Sequence, residues 1–139
     1  MKQQPNTHTE VREMMNRKAV MAVAVVALLA VAVTIPAAAV TWRRMGTVSG
    51  RLSRSGDQEI YRVRSLSGGQ RYKIALTGPW SADFDLAVYD ENGNLVAKDT
   101  DSSSDGTVYI TPRWTGPFYI KVVSYRGSGV FTVRIYKRL

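Results

Sequence analysis

The stretch GPWSADFDLAVYDENGNLVAKDT, residues 78–100, decides the fold of this chain. Its apolar side chains alternate with other residues over 84–88, and a second short apolar run at 95–97 follows the turn-forming residues 90–94. Alternation with a period of two is typical of a strand with one buried face, and Asn-Gly between two such runs is typical of a hairpin. The stretch therefore predicts two antiparallel strands.

The same signals recur along the chain after Met45. Strand patterns separated by turn residues predict eight strands, at 47–52, 59–64, 71–76, 84–89, 95–97, 107–111, 118–123 and 130–136. All 11 glycines lie in this part, and no helical period is found there. The expected fold class is therefore all-β, an antiparallel β-sandwich of the jelly-roll kind.

Alternation also predicts which side chains form the core. The residues expected to point inward are Tyr61, Val63, Tyr72, Ile74, Leu76, Phe84, Leu86, Val88, Val108, Ile110, Phe118, Ile120, Val122, Phe131, Val133 and Ile135. Their neighbours along each strand are often charged, so a slip of one residue would bury charges. The register of the strands is therefore well specified.

The N-terminal part has a different composition. Residues 19–40 form an uncharged run of 22 residues. As a helix this run would be about 33 Å long, against a hydrocarbon core of about 30 Å. We expect one transmembrane helix at 19–40, a disordered polar tail at 1–18, a linker at 41–45 and the sandwich at 46–139.

A cleaved signal peptide is the alternative for the same run. Arg17 and Lys18 precede the apolar residues, and the small residues 37–39 would provide a cleavage site before Val40. The protein would then be secreted. The anchor is favoured because the 18-residue leader is long for a signal peptide, and because Trp42 and the arginines after it suit a membrane interface.

Three stretches together resemble a known family. With SGDQEIYRVRSLSGGQRYKIALTG (55–78) and GPFYIKVVSYRGSGVFTVRIY (116–136), the opening stretch is similar to the bacterial pre-peptidase C-terminal (PPC) domain, over residues 46–136. Family members usually follow a large secreted peptidase, whereas here the module is expected to stand alone. The resemblance implies an extracytoplasmic sandwich, with the N-terminus in the cytoplasm.

The residue inventory argues against catalysis. The chain contains no cysteine, and its single histidine, His8, precedes the apolar run. A serine in the sandwich therefore has no histidine base. Asp83 and Asp85 could be considered a glycosidase pair, but two acids at this spacing on a strand are more typical of solvated groups. We expect no catalytic residues.

The acidic residues suggest one metal site. Asp83 and Asp85 begin one predicted strand, while Asp99, Asp101 and Asp105 lie in the loop DTDSSSDG. Calcium takes six to eight oxygen ligands, which such a loop could provide, and some members of the family that the chain resembles bind calcium. A solvated loop that caps the strands is the alternative. No other cofactor is expected.

Ligand binding is predicted from charge and from tyrosines. From residue 43 onward the chain has 15 Arg and Lys against 9 Asp and Glu, and a positive domain favours anionic partners. The outward basic residues that could share one face are Arg62, Arg64, Arg71, Lys73, Lys121 and Arg134, and the tyrosines that could form a binding strip are Tyr89, Tyr109 and Tyr119. Both sets are also ordinary for exposed strand positions.

The predicted function is that of a non-catalytic binding or adhesion module of the cell envelope, anchored in the membrane through 19–40 or exported. The expected ligand is an anionic envelope polysaccharide or a partner protein, such as a secreted peptidase supplied in trans. Nucleic acid is not expected. The alternative is a pilus-like filament subunit with a buried N-terminal helix, although the glutamate expected near the start of such a subunit is missing.

Overall fold

The structure is a computed structural model that describes residues 34–139. Its regular elements there are eight β-strands: β1 (Trp42–Leu52), β2 (Gln58–Leu66), β3 (Tyr72–Thr77), β4 (Asp83–Asp90), β5 (Leu95–Asp99), β6 (Gly106–Ile110), β7 (Gly116–Arg126) and β8 (Gly129–Arg138). The tail at 1–18 and residues 19–33 of the predicted membrane helix lie outside the described residues, and 34–40 have no regular secondary structure. Between 34 and 139 there is no helix of the length and hydropathy that a membrane span needs.

The strands form two four-stranded antiparallel sheets. Sheet A has the order β1-β8-β3-β6, and sheet B has the order β2-β7-β4-β5. The first strand pairs with the last, the second with the seventh, the third with the sixth and the fourth with the fifth. This nesting of a chain folded back on itself is the jelly-roll arrangement. The predicted all-β sandwich is confirmed.

The core lies between the two sheets. Every residue that alternation assigned to the inside is either buried or packed against the buried cluster. On β3, for example, Tyr72, Ile74 and Leu76 are all buried, while the residues between them are half-buried. Leu52, Leu66 and Ala82 complete the core from the ends of strands and from a loop. Burial of this apolar surface is the main favourable term in folding.

The first strand begins earlier than the sequence predicts. Residues 42–45, taken as linker, form the start of β1, where Trp42 pairs with Arg138 on β8. The pairing shifts between Arg44 and Gly46, so a β-bulge lies at this point. A bulge places two residues of one strand opposite one residue of the other, which interrupts the alternation. This explains why the pattern over 42–46 did not indicate a strand.

The turn between β4 and β5 is built around Asp90. Its side chain is 6% exposed and accepts hydrogen bonds from the backbone N–H groups of Asn92 and Asn94, each at 2.9 Å. The side-chain amide of Asn94 donates a third bond at 3.0 Å. Gly93 has a φ of 80°, which glycine adopts without strain. The predicted Asn-Gly hairpin is confirmed, with a buried carboxylate holding it.

Candidate ligand-binding faces

The structure divides the predicted basic face in two. Arg62, Arg64 and Lys121 lie on the outer surface of sheet B, whereas Lys73 and Arg134 lie on that of sheet A. Arg71 directly precedes β3 and extends the second group. The hypothesis of a single shared face is therefore wrong, because residues on different sheets of a sandwich point in opposite directions. The tyrosines divide in the same way: Tyr89 and Tyr119 on sheet B, and Tyr109 on sheet A.

The two sheets differ in charge. The four strands of sheet A contain seven Arg and Lys residues and no Asp or Glu. The strands of sheet B contain five basic and five acidic residues. The net positive charge of the strands therefore belongs to sheet A, and an anion would meet a different field at each side of the domain.

On the outside of sheet B, one row of residues crosses all four strands. Arg62 pairs with Tyr119, which pairs on its other side with Tyr89, and Tyr89 pairs with Leu95. Lys121 lies beside this row, with its ammonium group 5.5 Å from the centre of the Tyr89 ring. Leu95 is half exposed at the end of the row. The row therefore has a basic residue at one end, two tyrosines in the middle and an apolar residue at the other end.

Sheet A carries a matching row at the end where β1 begins. Arg44 pairs with Tyr136, Tyr136 with Lys73, and Lys73 with Tyr109. The Lys73 ammonium lies 4.5 Å from the Tyr136 ring centre and 5.1 Å from that of Trp42. These distances are within the range of cation–π attraction. This basic-aromatic cluster holds its own cations against its own rings.

Two further contacts extend the cluster of sheet A. The Trp42 and Tyr109 rings lie 5.7 Å apart, centre to centre, with a tilt of 48°. The Arg71 guanidinium group lies 5.4 Å from the Tyr109 ring centre. Alternation with the core residues already indicated Tyr136 as an outward tyrosine. Sequence reasoning missed Trp42 as a member of this site, because only the pairing of β1 with β8 places it there.

The acidic residues of the β5–β6 loop mostly bind backbone. Asp99 accepts hydrogen bonds from the Thr107 N–H at 2.8 Å and the Asp101 N–H at 3.4 Å. Asp101 accepts from the Ser103 N–H at 2.8 Å, and Asp105 accepts from the Gly78 N–H at 3.1 Å. Loop capping therefore occupies one oxygen or more of each of these carboxylates.

Asp83 and Asp85 have a different environment. Asp83 is 7% exposed, and its Oδ1 has no hydrogen-bond partner; the buried Ser104 hydroxyl also lacks one. Burial raises the pKa of Asp85, and the negative charges of Asp83, Asp101 and Asp99 raise it further. Within residues 34–139, no group of three or more His, Cys, Asp or Glu side chains has the spacing of a metal site. Calcium binding stays a prediction.

A cavity of about 420 Å³ lies at the Leu95 end of the row on sheet B. Leu95, Val96, Arg113 and Trp114 contribute to its walls. The Trp114 indole N–H donates a hydrogen bond to Glu91 at 3.0 Å, which fixes the ring at the rim. The cavity touches Leu95, so a ligand lying along the row could extend into it.

The fold and the faces define a β-sandwich module with an open outer surface on each sheet. A model of the bacterial pre-peptidase C-terminal domain family matches residues 58–124, from the start of β2 to near the end of β7. Over these residues the resemblance to the PPC family seen in the sequence is confirmed. A search of curated protein sequences gave no match.

Solved structures show the same fold. The periplasmic inhibitor of g-type lysozyme, PliG, from Aeromonas hydrophila superposes with a TM-score of 0.54 at 12% identity, over 73% of this chain and 90% of that one. The pre-peptidase C-terminal domain of the Bacillus anthracis collagenase superposes with a TM-score of 0.50 at 18% identity, over 65% and 87%. At these identities the likeness is one of fold.

Proposed function

We propose that this protein is a non-catalytic binding module of the cell envelope, anchored in the membrane through residues 19–40 and displaying its PPC domain outside the cytoplasm. Its ligand is an anionic envelope polysaccharide, bound along the outer row of sheet B. The observation that carries the proposal is the row Arg62–Tyr119–Tyr89–Leu95, which crosses all four strands. The PPC family and the periplasmic location of PliG support an extracytoplasmic role.

The chemistry of the row suits an acidic sugar polymer. A uronic acid unit has a carboxylate and an apolar ring face, so it needs a cation beside an aromatic or aliphatic surface. Arg62 and Lys121 supply the cations. Tyr89 supplies an aromatic ring, and Leu95 supplies an aliphatic surface. Each exposed contact is weak on its own, so affinity requires several units of the polymer to bind together.

The test uses the full-length protein in detergent, with alginate as the acidic polymer and dextran as the neutral control. The variant Arg62→Gln/Arg64→Gln/Lys121→Gln should bind alginate roughly tenfold more weakly, because each exposed charge pair contributes about 0.2–1 kcal/mol. The binding of the wild-type protein should weaken as salt is raised, and that of the variant should depend less on salt. Dextran should not bind measurably.

The matched control removes the same number of charges from the other sheet. Arg71→Gln/Lys73→Gln/Arg134→Gln should retain alginate binding, because these side chains lie on sheet A. If this control loses binding while the sheet B variant keeps it, the site on sheet B is wrong. Absence of alginate binding by the wild-type protein at low salt would contradict the polysaccharide as ligand.

A further inference from the structure

The outer face of sheet A has no role in the proposed binding of polysaccharide, yet its charge is one-sided. The four strands of sheet A contain no acidic residue, and the basic residues that alternate with inward-facing ones include Arg44, Arg51, Lys73 and Arg134. The charges of a surface that serves only solubility are usually mixed in sign. Such a concentration of one sign favours a partner that is itself extended and uniformly negative.

The aromatic residues on this face indicate what kind of negatively charged partner it suits. Trp42, Tyr109 and Tyr136 lie among the cations, and Tyr109 is half exposed. Trp and Tyr with neighbouring Arg and Lys are the side chains that concentrate where a protein meets lipid headgroups, since they combine an apolar ring with a polar group. The outer surface of a sheet is also broad and open, which suits contact with a bilayer.

The position of the cluster in the chain points to the same partner. Residues 34–40, at the end of the uncharged run, have no regular secondary structure, so a membrane helix would end before Thr34. The nine residues from there to Trp42 span at most about 32 Å when extended. If the helix lies in the membrane, this end of β1 and its neighbours on sheet A are tethered within that distance of the headgroups. The inference rests on the proposed function in this respect, because it takes 19–40 to be the anchor.

We propose that the outer face of sheet A docks on the anionic lipid headgroups of the membrane that holds the protein. Arg44, Arg71, Lys73 and Arg134 provide the charge contacts, and the ring of Trp42 enters the interface. Cations are attracted to an anionic bilayer surface, and salt weakens the attraction. Sheet B then faces away from the membrane, with its row free for a ligand.

The absence of cysteine from the chain allows a direct test by single-site labelling. Thr107→Cys places a fluorophore on the outer face of sheet A, and Ile60→Cys places one on that of sheet B. Each full-length variant is reconstituted in vesicles of phosphatidylcholine, with or without phosphatidylglycerol. A nitroxide on the lipid headgroups quenches a fluorophore that lies close to the surface.

The sheet A label should be quenched roughly twofold more when phosphatidylglycerol is present, and high salt should reverse the change. The sheet B label should be quenched equally in both kinds of vesicle. Adding Arg71→Gln/Lys73→Gln/Arg134→Gln should remove the lipid-dependent quenching, and its unfolding midpoint should confirm that the domain is folded. Equal quenching of the two labels in the anionic vesicles would overturn the proposal.

A vesicle flotation experiment tests the membrane anchor separately from the docking of sheet A. The protein should float with neutral vesicles if residues 19–40 anchor it. Flotation with anionic vesicles alone would contradict the anchor and still support the face of sheet A. Flotation with neither would contradict both.

Discussion

Gly50 lies directly opposite Phe131 in the ladder of β1 and β8, on the side of sheet A that faces the core. A Cβ atom added at Gly50 would lie 2.7 Å from Cζ of Phe131, and it would also meet the Tyr61 hydroxyl and the Glu59 carboxylate. Gly50→Ala should therefore lower the free energy of unfolding by about 1–3 kcal/mol, the usual cost of overpacking a core. Urea unfolding measures it.

The same strand supplies a control. Gly46 has no atom within 4 Å of an added Cβ. Gly46→Ala should change the stability by less than about 0.5 kcal/mol. Equal losses in the two variants would show that backbone freedom, rather than the space beside Phe131, sets the requirement for glycine.

The centre of sheet B should be sensitive to loss of volume. Ile120 is completely buried, whereas Ile60 is 56% exposed. Ile120→Ala should cost about 2–5 kcal/mol, because it removes buried methyl groups and leaves a cavity. Ile60→Ala should cost less than about 0.5 kcal/mol. Urea unfolding of both variants tests the pair, and a large loss in the second would contradict the described burial.

Asp90 should make the stability depend on acid pH. The side-chain amide of Asn94, with the backbone N–H groups of Asn94 and Asn92, lowers the pKa of Asp90 below its ordinary value of 3.8, although burial opposes them. A lowered folded-state pKa stabilises the fold above the unfolded value, and this contribution is lost as the pH falls through the folded value. The loss lies in the range below about pH 4.

The measurement is the unfolding midpoint against pH for the wild-type protein, Asp90→Asn and Asn94→Ala. Asp90→Asn should be less stable at neutral pH, and the difference from wild type should shrink towards pH 2. Asn94→Ala should show the same trend with a smaller amplitude, because it removes only part of the network. A constant difference across the pH range would contradict an ionised Asp90 as the group that holds the turn.

The contribution of Asp85 to stability should change with pH in the opposite direction to that of Asp90. Burial and the charges of Asp83, Asp101 and Asp99 raise its pKa, so ionising it weakens the fold as the pH rises through the folded value. In chelator at neutral pH, Asp85→Asn should therefore unfold at a higher temperature than the wild type. If calcium binds these carboxylates, millimolar calcium should raise the midpoint of the wild type and raise that of Asp85→Asn less.

Identical midpoints of the wild type with calcium and with chelator would contradict the calcium site. The higher midpoint of Asp85→Asn in chelator would then still be expected, since it follows from repulsion between carboxylates. The two results can therefore be separated in one set of thermal scans.

The N-terminal run should remain attached to the mature protein. Membrane fractionation should place the protein in the membrane, and its intact mass should include residues 19–40. A mature chain that starts at Val40 and is soluble after lysis would show that the run is a signal peptide. Because the two outcomes differ in mass by dozens of residues, intact-mass measurement distinguishes them directly.

The strands and the core could be predicted because one face of each sheet is buried. The alternation of Phe84, Leu86 and Val88 predicts that these side chains point inward, and all three are buried. The burial of Leu52 and Leu66 could not be predicted. Each lies at the end of its strand, where a single apolar residue does not make a pattern. At Asp90 the sequence indicates only a turn, because it does not show that the carboxylate is buried.

The faces could be predicted only in part, since alternation separates inside from outside but does not say to which sheet a strand belongs. Arg62 and Lys73 look equivalent in the sequence, yet they lie on opposite sides of the domain. That distinction depends on long-range pairing, such as that of β2 with β7 and of β3 with β8. The contact of Trp42 with Tyr109 has the same origin.

The pairing of β1 with β8 has a mechanical consequence. Trp42 and Arg138 are partners, and the Leu139 N–H donates a hydrogen bond to the Thr41 carbonyl at 2.9 Å, so the two ends of the domain leave from one corner. A force that pulls these ends apart would peel the strands open one hydrogen bond at a time, which resists tension poorly. A force that enters through the row on sheet B would act on strands that do not pair with β1 or β8. Held at its N-terminal end and loaded through that row, the domain would not be pulled directly on the Trp42–Arg138 pair, as it would be by a load at Leu139.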